Sequence, residues 1–378
     1  MNQQAFIIFS GFNQRAVIAF IRMLERRSVS YFIISSGVED SIRHTPYARN
    51  VVVTRSTITL TEEAMAEALD ATLAHAGVGV GRFHLAPTSE SLIRFFLACR
   101  HLLEKRDITL PVVSHTLYTR LSDKEAFGEL CLAAGLTIPR FLHDPSNADL
   151  PFVAKPKTYD LAMPMAPLLI MTEQERVALL CHPNLERFYL QEYINGRSIY
   201  LLFHFAQDGS VQLCSQENLV QQPNGKSIIA AITANVHYSE KCKPYIDMLK
   251  STGFHGLIMI EIRIKSDDTW CVIEANPRLW GPSQFVIDIA EGHNLFDAFL
   301  DDCGFDSPSV TPPPTGLSRY FWFGGLMQTL SSGKQPAFHN YSVDQMLEDI
   351  PLWLAADVYR RPDTFNIFIE ELMLKGNI

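Results

Sequence analysis

The chain has no excess of positive charge, no paired cysteines and no long apolar run, and each absence removes a class of protein. Lys and Arg number 32 against 41 Asp and Glu, a net charge of −9. Nothing therefore pulls the molecule as a whole toward a phosphate backbone or an anionic lipid surface, and neither nucleic acid nor membrane is an expected partner. The seven cysteines (99, 131, 181, 214, 242, 271 and 303) are odd in number and never spaced CxxC. That argues against a disulfide framework or a zinc knuckle and for a reducing compartment. No stretch approaches the roughly 20 apolar residues that span a bilayer. The opening MNQQAFIIFSGFNQR lacks the basic start and apolar run of a signal peptide, so a cytoplasmic protein is expected. The twelve histidines show neither HxxxH nor HExxH spacing, and no Ser or Cys stands in a motif that marks a nucleophile.

What remains is a globular chain, 47% hydrophobic and 19% charged, whose 378 residues suffice for two or three domains. Residues 1–113 alternate strand and helix. Runs at 5–9, 29–36, 48–54 and 82–87 read as strands, and 10–27, 61–77 and 89–105 as helices, the first with Val17, Ile18, Ile21 and Leu24 on one face. This order predicts an open parallel sheet. Residues 114–150 read as a helical link, in which Ser122-Asp-Lys-Glu125 has the form of a capping box and Gly135 a stop. From 152 to about 275 strands dominate, with hairpin turns at 206–210 and 265–269 and one interrupting helix at 239–253, which predicts a largely antiparallel sheet. Pro308–Pro314 reads as a linker, and the tail beyond it carries no legible motif. The expected organisation is 1–113, 114–305 with a lid at about 150–195, and a C-terminal extension, 306–378.

Chemistry concentrates in Glu261-Ile-Arg-Ile-Lys-Ser-Asp-Asp-Thr-Trp-Cys-Val-Ile-Glu274-Ala-Asn276-Pro-Arg278. Two apolar strands joined by a tight turn pair antiparallel, which brings Glu261 near Glu274. Either glutamate alone is compatible with a solvated face. Together, amid apolar residues, they are costly unless a cation neutralises them. Mg2+ is the natural candidate, because it takes carboxylate and amide oxygens along with phosphates. Asn276 falls on the same face as Glu274 and offers one more oxygen, and Arg278 presents a fork suited to a carboxylate or phosphate. Lys155 ends the apolar PFVAK, where a lone ammonium is expected to snorkel. Lys124 alone reads as a surface helix residue. RFYLQEYINGRS (187–198) reads as an edge strand ending at Gly196, with backbone groups free to meet an adenine edge.

The order of these parts, SDK, FVAKP, LQEYINGRS, GLIMIEI and CVIEANPRLWG behind a strand–helix domain, resembles the ATP-grasp superfamily, most closely its carboxylate–amine ligases. The likeness covers about residues 1–305. It implies an α/β chain: a Rossmann-like domain, then a two-subdomain α+β ATP-grasp fold that clamps ATP. It further implies that Lys124 and Lys155 meet the ATP phosphates, and that Gln191, Glu192 and Ile194 line the adenine side, the latter two through their backbone. Glu261, Glu274 and Asn276 would hold Mg2+, while Arg278, with Lys155, would serve the acceptor carboxylate and the transferred phosphoryl group. The implied activity is ATP- and Mg-dependent ligation of a small-molecule carboxylate to an amine through an acylphosphate. Bicarbonate or a thiol as acceptor, or nucleotide binding without turnover, are the alternatives, and a homo-oligomer is compatible with all three.

Two departures from the family pattern stand out. KPKTYDLAMPMAPLLI contains no glycine where a glycine-rich phosphate loop is usual, so the side chains of Lys157, Thr158 and Tyr159 are expected to replace part of that cradle in a mobile lid over 157–167. Arg197, rather than a glutamate, follows Gly196. GxGxxG is absent from the first turn, which leaves Ser10, Gly11, Asn13 and the PTSES turn (87–91) as candidates for a substrate pocket.

Overall fold

Alternation of strand and helix does produce a parallel sheet. In the computed structural model, which describes residues 3–157, 165–289, 294–305 and 318–375, the first unit holds β1 (Gln3–Phe9), α1 (Gln14–Arg26), β2 (Ser30–Ser35), β3 (Val51–Thr54), α2 (Glu62–Ala76), β4 (Val80–Leu85), α3 (Glu90–Ala98), α4 (His101–Glu104) and β5 (Ile108–Thr109). The strands run parallel in the order β3-β2-β1-β4-β5. Every residue of α1 from Ala16 to Leu24 except Arg22 is buried, and complete burial of a side chain such as Phe20 or Ile21 contributes about 1.5–3 kcal/mol. The sequence predicted one helix over 89–105; the structure breaks it at Cys99, whose backbone leaves the helical region (φ −110°, ψ 46°).

The link contributes α5 (His115–Ser122) and α6 (Lys124–Ala133). Here the cap is Asp123, not Ser122: the Asp123 carboxylate accepts from the Glu125 and Ala126 N–H groups. Ser122 instead ends α5, its hydroxyl donating to Tyr118 O at 2.7 Å. A carboxylate takes the helix-start donors more strongly than a hydroxyl.

Next comes a small antiparallel sheet, β6 (Phe141–Leu142), β7 (Phe152–Pro156), β8 (Leu168–Ile170) and β9 (Phe188–Glu192), in the order β6-β9-β7-β8. Helix α7 (Glu173–Leu180) lies between β8 and β9, a second helix where the sequence reading expected one. Its signal was present in Thr172-Glu-Gln-Glu175, which forms a full capping box.

The larger antiparallel sheet takes β10 (Arg197–Phe205), β11 (Val211–Gln221), β12 (Ile228–Ala234), β13 (Gly256–Ile264) and β14 (Trp270–Asn276), with α8 (Lys243–Ser251) before β13. After α9 (Gln284–Asp288) and α10 (Leu295–Asp302) come β15 (Arg319–Phe321), α11 (Phe323–Ser331), β16 (Ala337–Phe338), α12 (Val343–Ala355) and α13 (Phe365–Lys375). The strand order is β14-β13-β10-β11-β12-β15, and β16 also pairs with β11. The tail that carried no motif thus adds two strands to this sheet; the proposed linker at 308–314 lies outside the described residues. All nine residues of β13 are buried. One apolar cluster joins Ile7, Phe9 and Phe96 of the first unit to Ile199, Ile258 and Ile260 of this sheet. A second joins Phe6 and Phe20 to Phe299, Val358 and Phe368. Among the described residues no helix is long and apolar enough to cross a membrane.

Candidate active site

The β13–β14 hairpin sets the site. Its register places Glu261 directly opposite Glu274, and a bulge beside that pair inserts Ile273 as one extra residue on β14. The Ile273 carbonyl, out of step with the ladder, accepts a long 3.4 Å hydrogen bond from Lys155 Nζ at the end of β7. Lys124, at the first turn of α6, reaches Glu274 Oε2 at 2.5 Å. Asn276 Nδ2 donates to Glu274 Oε1 at 2.9 Å, and its own Oδ1 accepts from Arg278 Nη2 at 2.9 Å. The next residue, Leu279, donates its N–H to Pro87 O, which ties Arg278 to the PTSES turn of the first unit. Lys124, Lys155, Glu261, Glu274, Asn276 and Arg278, far apart in sequence, therefore form one cluster.

Burial tunes these charges in opposite directions. Lys155 does not snorkel: it is only 6% exposed. Desolvation, then the neighbouring Lys124 ammonium, lower its pKa to about 8. Lys124 goes the other way, because attraction to Glu274 outweighs desolvation. Burial would raise Glu274, but Lys124 overrides it and holds the carboxyl at about 2. Glu261, 5% exposed, is raised by burial and by facing Glu274, against the opposing pull of Arg263.

Three cavities meet at Glu274, which lines all of them. The first, about 130 Å³, lies between the small and large sheets against Lys155, Ile194, Glu192, Glu261 and Tyr193. The second, about 240 Å³, is lined by Lys124, Lys157, Asn276 and Arg278. The third, about 430 Å³, opens toward the first unit and is lined by Arg278, Asn13, Ser89, Glu90, Arg15 and Trp280.

The strand expected to meet an adenine differs from its sequence reading. β9 is not an edge strand, since β6 and β7 flank it, and it ends at Glu192 rather than at Gly196. Sheet order depends on partners distant in sequence, which the local pattern does not carry. The Glu192 N–H is already taken by Arg140 O at 3.0 Å, so only its carbonyl is left for a ligand, with Ile194 beyond in non-strand backbone. Gln191 is buried within β9, its Nε2 donating to Pro139 O and its Oε1 without a partner. It does not line the first cavity. Gly196 has a steric role, because a Cβ there would lie 2.3 Å from Ile264 O. Arg197 forms a two-pronged pair with Glu217 at 2.9 and 2.6 Å.

Of the substrate candidates, Asn13 begins α1 in the left-handed region (φ 48°) without capping it. Its Nδ2 donates to Thr88 O at 2.8 Å and Leu279 O at 3.4 Å. Ser10 is buried and bonded to Asp40 at 2.8 Å, and Gly11 is packed against Ser36, where a Cβ would clash; neither lines the third cavity. Lys157 is exposed, while Thr158 and Tyr159 lie outside the described residues.

The sequence reading missed Arg263, whose Nη2 is 3.3 Å from Glu261 Oε1 and whose Nη1 is 3.0 Å from His339 Nδ1. Its alternation with Glu261 along β13 was a signal that both face one side. It also missed Arg15 and Lys226, which line the third cavity.

The donor set fits a divalent cation. Among the described residues no three His, Cys, Asp or Glu cluster, so an all-protein cage is not the design. Two opposed carboxylates and an amide oxygen remain, and Mg2+ characteristically completes such a set with phosphate oxygens. Burial first, and then the facing Glu274, raise the pKa of Glu261, and a bound cation would relieve both costs.

The sequence matches no family model and no curated protein sequence. Solved structures do resemble it. N5-carboxyaminoimidazole synthetase from Staphylococcus aureus superposes with a TM-score of 0.60 at 13% identity, over 94% of this chain and 100% of that one. The L-amino acid ligase of Bacillus licheniformis gives 0.57 at 15%, over 84% and 79%. The biotin carboxylase domain of Hydrogenobacter thermophilus 2-oxoglutarate carboxylase, a complex with MgADP, ADP and bicarbonate, gives 0.59 at 14%, over 83% and 73%. With its Rossmann-like first unit and two antiparallel sheets around the Glu261–Glu274 hairpin, the chain has the ATP-grasp fold.

Proposed function

We propose that the protein uses ATP and Mg2+ to activate a carboxylate as an acylphosphate and joins the acyl group to an amine, releasing ADP and phosphate. The observation that carries this reading is the convergence of three cavities on Glu274, with lysines on one side and Arg278 on the other. Phosphoryl transfer asks chiefly for positioning and charge neutralisation. In this reading the first cavity receives the adenosine end, with Ile194 and the Glu192 carbonyl at the base. At 130 Å³ it must open to do so, by parting of the small and large sheets. Lys124 exchanges Glu274 for phosphate, Lys155 gains the counter-charge it lacks, and Lys157 approaches from the rim.

Glu261, Glu274 and Asn276 would hold Mg2+, which supplies charge neutralisation on the transferring phosphoryl group. Arg278 orients the carboxylate that attacks the γ-phosphorus. The carboxylate oxygen forms the new bond, ADP leaves with the electron pair of the broken one, and the amine then displaces phosphate from the acyl carbon, losing a proton to solvent.

A second reading takes bicarbonate as the acid; the likeness to a carboxylase crystallised with bicarbonate supports it. An ADP-release assay across amino acids, small carboxylates and bicarbonate, singly and in pairs with amines, separates the two. Ligation to an amine predicts ADP only when an acid and an amine are both present. Release with bicarbonate alone would favour the second reading, and no release under any pairing would remove both.

A further inference from the structure

Arg15 is an unusual guest in the third cavity. It comes from the first turn of α1, yet its contacts are all made with distant parts of the chain. Nη2 donates to Ser227 Oγ at 2.8 Å, and Nη1 donates to Tyr320 OH at 3.0 Å and Ile228 O at 3.3 Å. One face of the guanidinium stacks on the Trp322 ring, 3.8 Å from its centroid. Gly281 lies against the group as well: a Cβ there would be 3.0 Å from Nη2. An arginine held by an aromatic face, a glycine and three acceptors has lost its rotamer freedom in advance. These bonds leave Nε and one Nη2 hydrogen for a further partner.

Among the described residues that partner is missing. Among the described residues, no carboxylate lies within 4 Å of Arg15, Arg278 or Lys226, all three of which line the cavity. The two acids on its wall are already engaged, Glu90 with Arg94 at 2.8 Å and Glu274 with Lys124 at 2.5 Å. Arg278 keeps a buried Nε with no partner at all. Two arginines and a lysine around one cleft repel one another, and an anion in the cleft reverses that cost.

We infer that this cavity takes an acid bearing two anionic groups, with its reacting carboxylate at Arg278 and a second carboxylate or a phosphate at Arg15. The role given to Arg278 rests on the ligase reading above; the anion site at Arg15 rests on the cavity alone. Trp280 and Met259 on the wall would face the carbon chain between the two charges, and the span between the guanidinium groups would select its length.

The test is calorimetry on the full chain with the dicarboxylate series malonate to adipate, with monoacids of matched length, and with phosphoglycolate. At least one dianion should bind about tenfold or more tightly than its matched monoacid, the scale of one charge-assisted contact. Phosphoglycolate against succinate decides which second group is preferred. Arg15→Gln should abolish the preference and Arg15→Lys should restore part of it. Because Arg15 also ties structural elements together, two gentler variants accompany it. Gly281→Ala, which crowds the guanidinium without removing its charge, should weaken dianions more than monoacids, and Lys226→Gln at an exposed position should do so to a smaller extent. Equal affinity for mono- and dianions throughout the series, or a preference that survives both Arg15→Gln and Gly281→Ala, would overturn the inference. ADP release in the same samples keeps the two readings apart. A dianion preference in a protein that releases no ADP with any acid would uphold the site and count against ligation.

Discussion

Two groups of buried charge in this molecule look alike by composition and differ in what they lack. Arg27, at the end of α1, is 2% exposed and meets Asp297, 0% exposed, at 2.8 Å, Asp301 at 2.6 Å and the Phe305 carbonyl at 2.9 Å. Asp297 also completes the capping box that starts α10. Only Arg27 Nε goes without a partner. In the Glu261–Glu274 cluster, by contrast, Lys155 has one long bond to a carbonyl and a depressed pKa, and two carboxylates face each other. A satisfied buried charge locks elements together, whereas an unsatisfied one waits for a ligand.

Removing one member from each group tests that contrast. Arg27→Met leaves Asp297 buried without its cation, and a loss of about 3–5 kcal/mol in denaturant unfolding is expected. ADP release per folded molecule should be unchanged; a large fall in turnover at full folding would break the distinction from one side. Glu274→Gln should do the reverse. It keeps the shape and one hydrogen-bonding oxygen but removes a charge from the proposed metal set. Turnover should fall at least a hundredfold, roughly 3 kcal/mol of transition-state stabilisation, a larger effect than the modest loss of thermal stability expected as Lys124 loses its carboxylate. Wild-type turnover in this variant would withdraw the metal role.

Lys155→Met carries a smaller expectation with an opposite sign in stability. ATP·Mg2+ should bind about tenfold more weakly by calorimetry, while the free protein gains stability because an uncompensated ammonium leaves the interior. The sign follows from a native pKa of about 8, below the ordinary lysine value. The cost of burying the charge is fully present below pH 8 and is relieved as pH rises beyond it. Phosphate needs the protonated form, so nucleotide affinity of the parent protein should decline above pH 8 and that of Lys155→Met should not. Smallest of the four is Asp123→Ala. Loss of the cap at the start of α6 should cost about 1 kcal/mol of stability and weaken nucleotide binding only slightly, because Lys124 keeps its place in the helix.

The legible parts of the molecule were those that neighbouring residues dictate. A hairpin with a short turn brings Glu261 to Glu274, because strand pairing after a turn leaves little freedom in register. Alternation of 3.6-residue and two-residue periods gave the parallel unit. The parts that were not legible depend on partners far along the chain. That β9 is interior follows from β6 pairing on its far side, and β6 is only two residues long. Arg15 becomes a cavity residue through Ser227 and Tyr320, more than two hundred positions away. The tail showed no motif because its contribution is shape: β15 and β16 finish a sheet begun by other segments, and His339 faces Arg263 only after that pairing exists.

The packing of α1 against segments far later in the sequence has a consequence for synthesis. Helix α1 is made well before the residues that cover it, Phe299, Val358, Ile367 and Phe368, and before Asp363, which pairs with Arg22 at 2.7 Å. At about 5–20 residues per second this gap lasts tens of seconds. During that interval a strongly apolar helix face has no native cover, so the nascent chain should be a client of holding chaperones. Truncations that stop before residue 358 should then aggregate, even though every residue of the Glu261–Glu274 hairpin is already present in them.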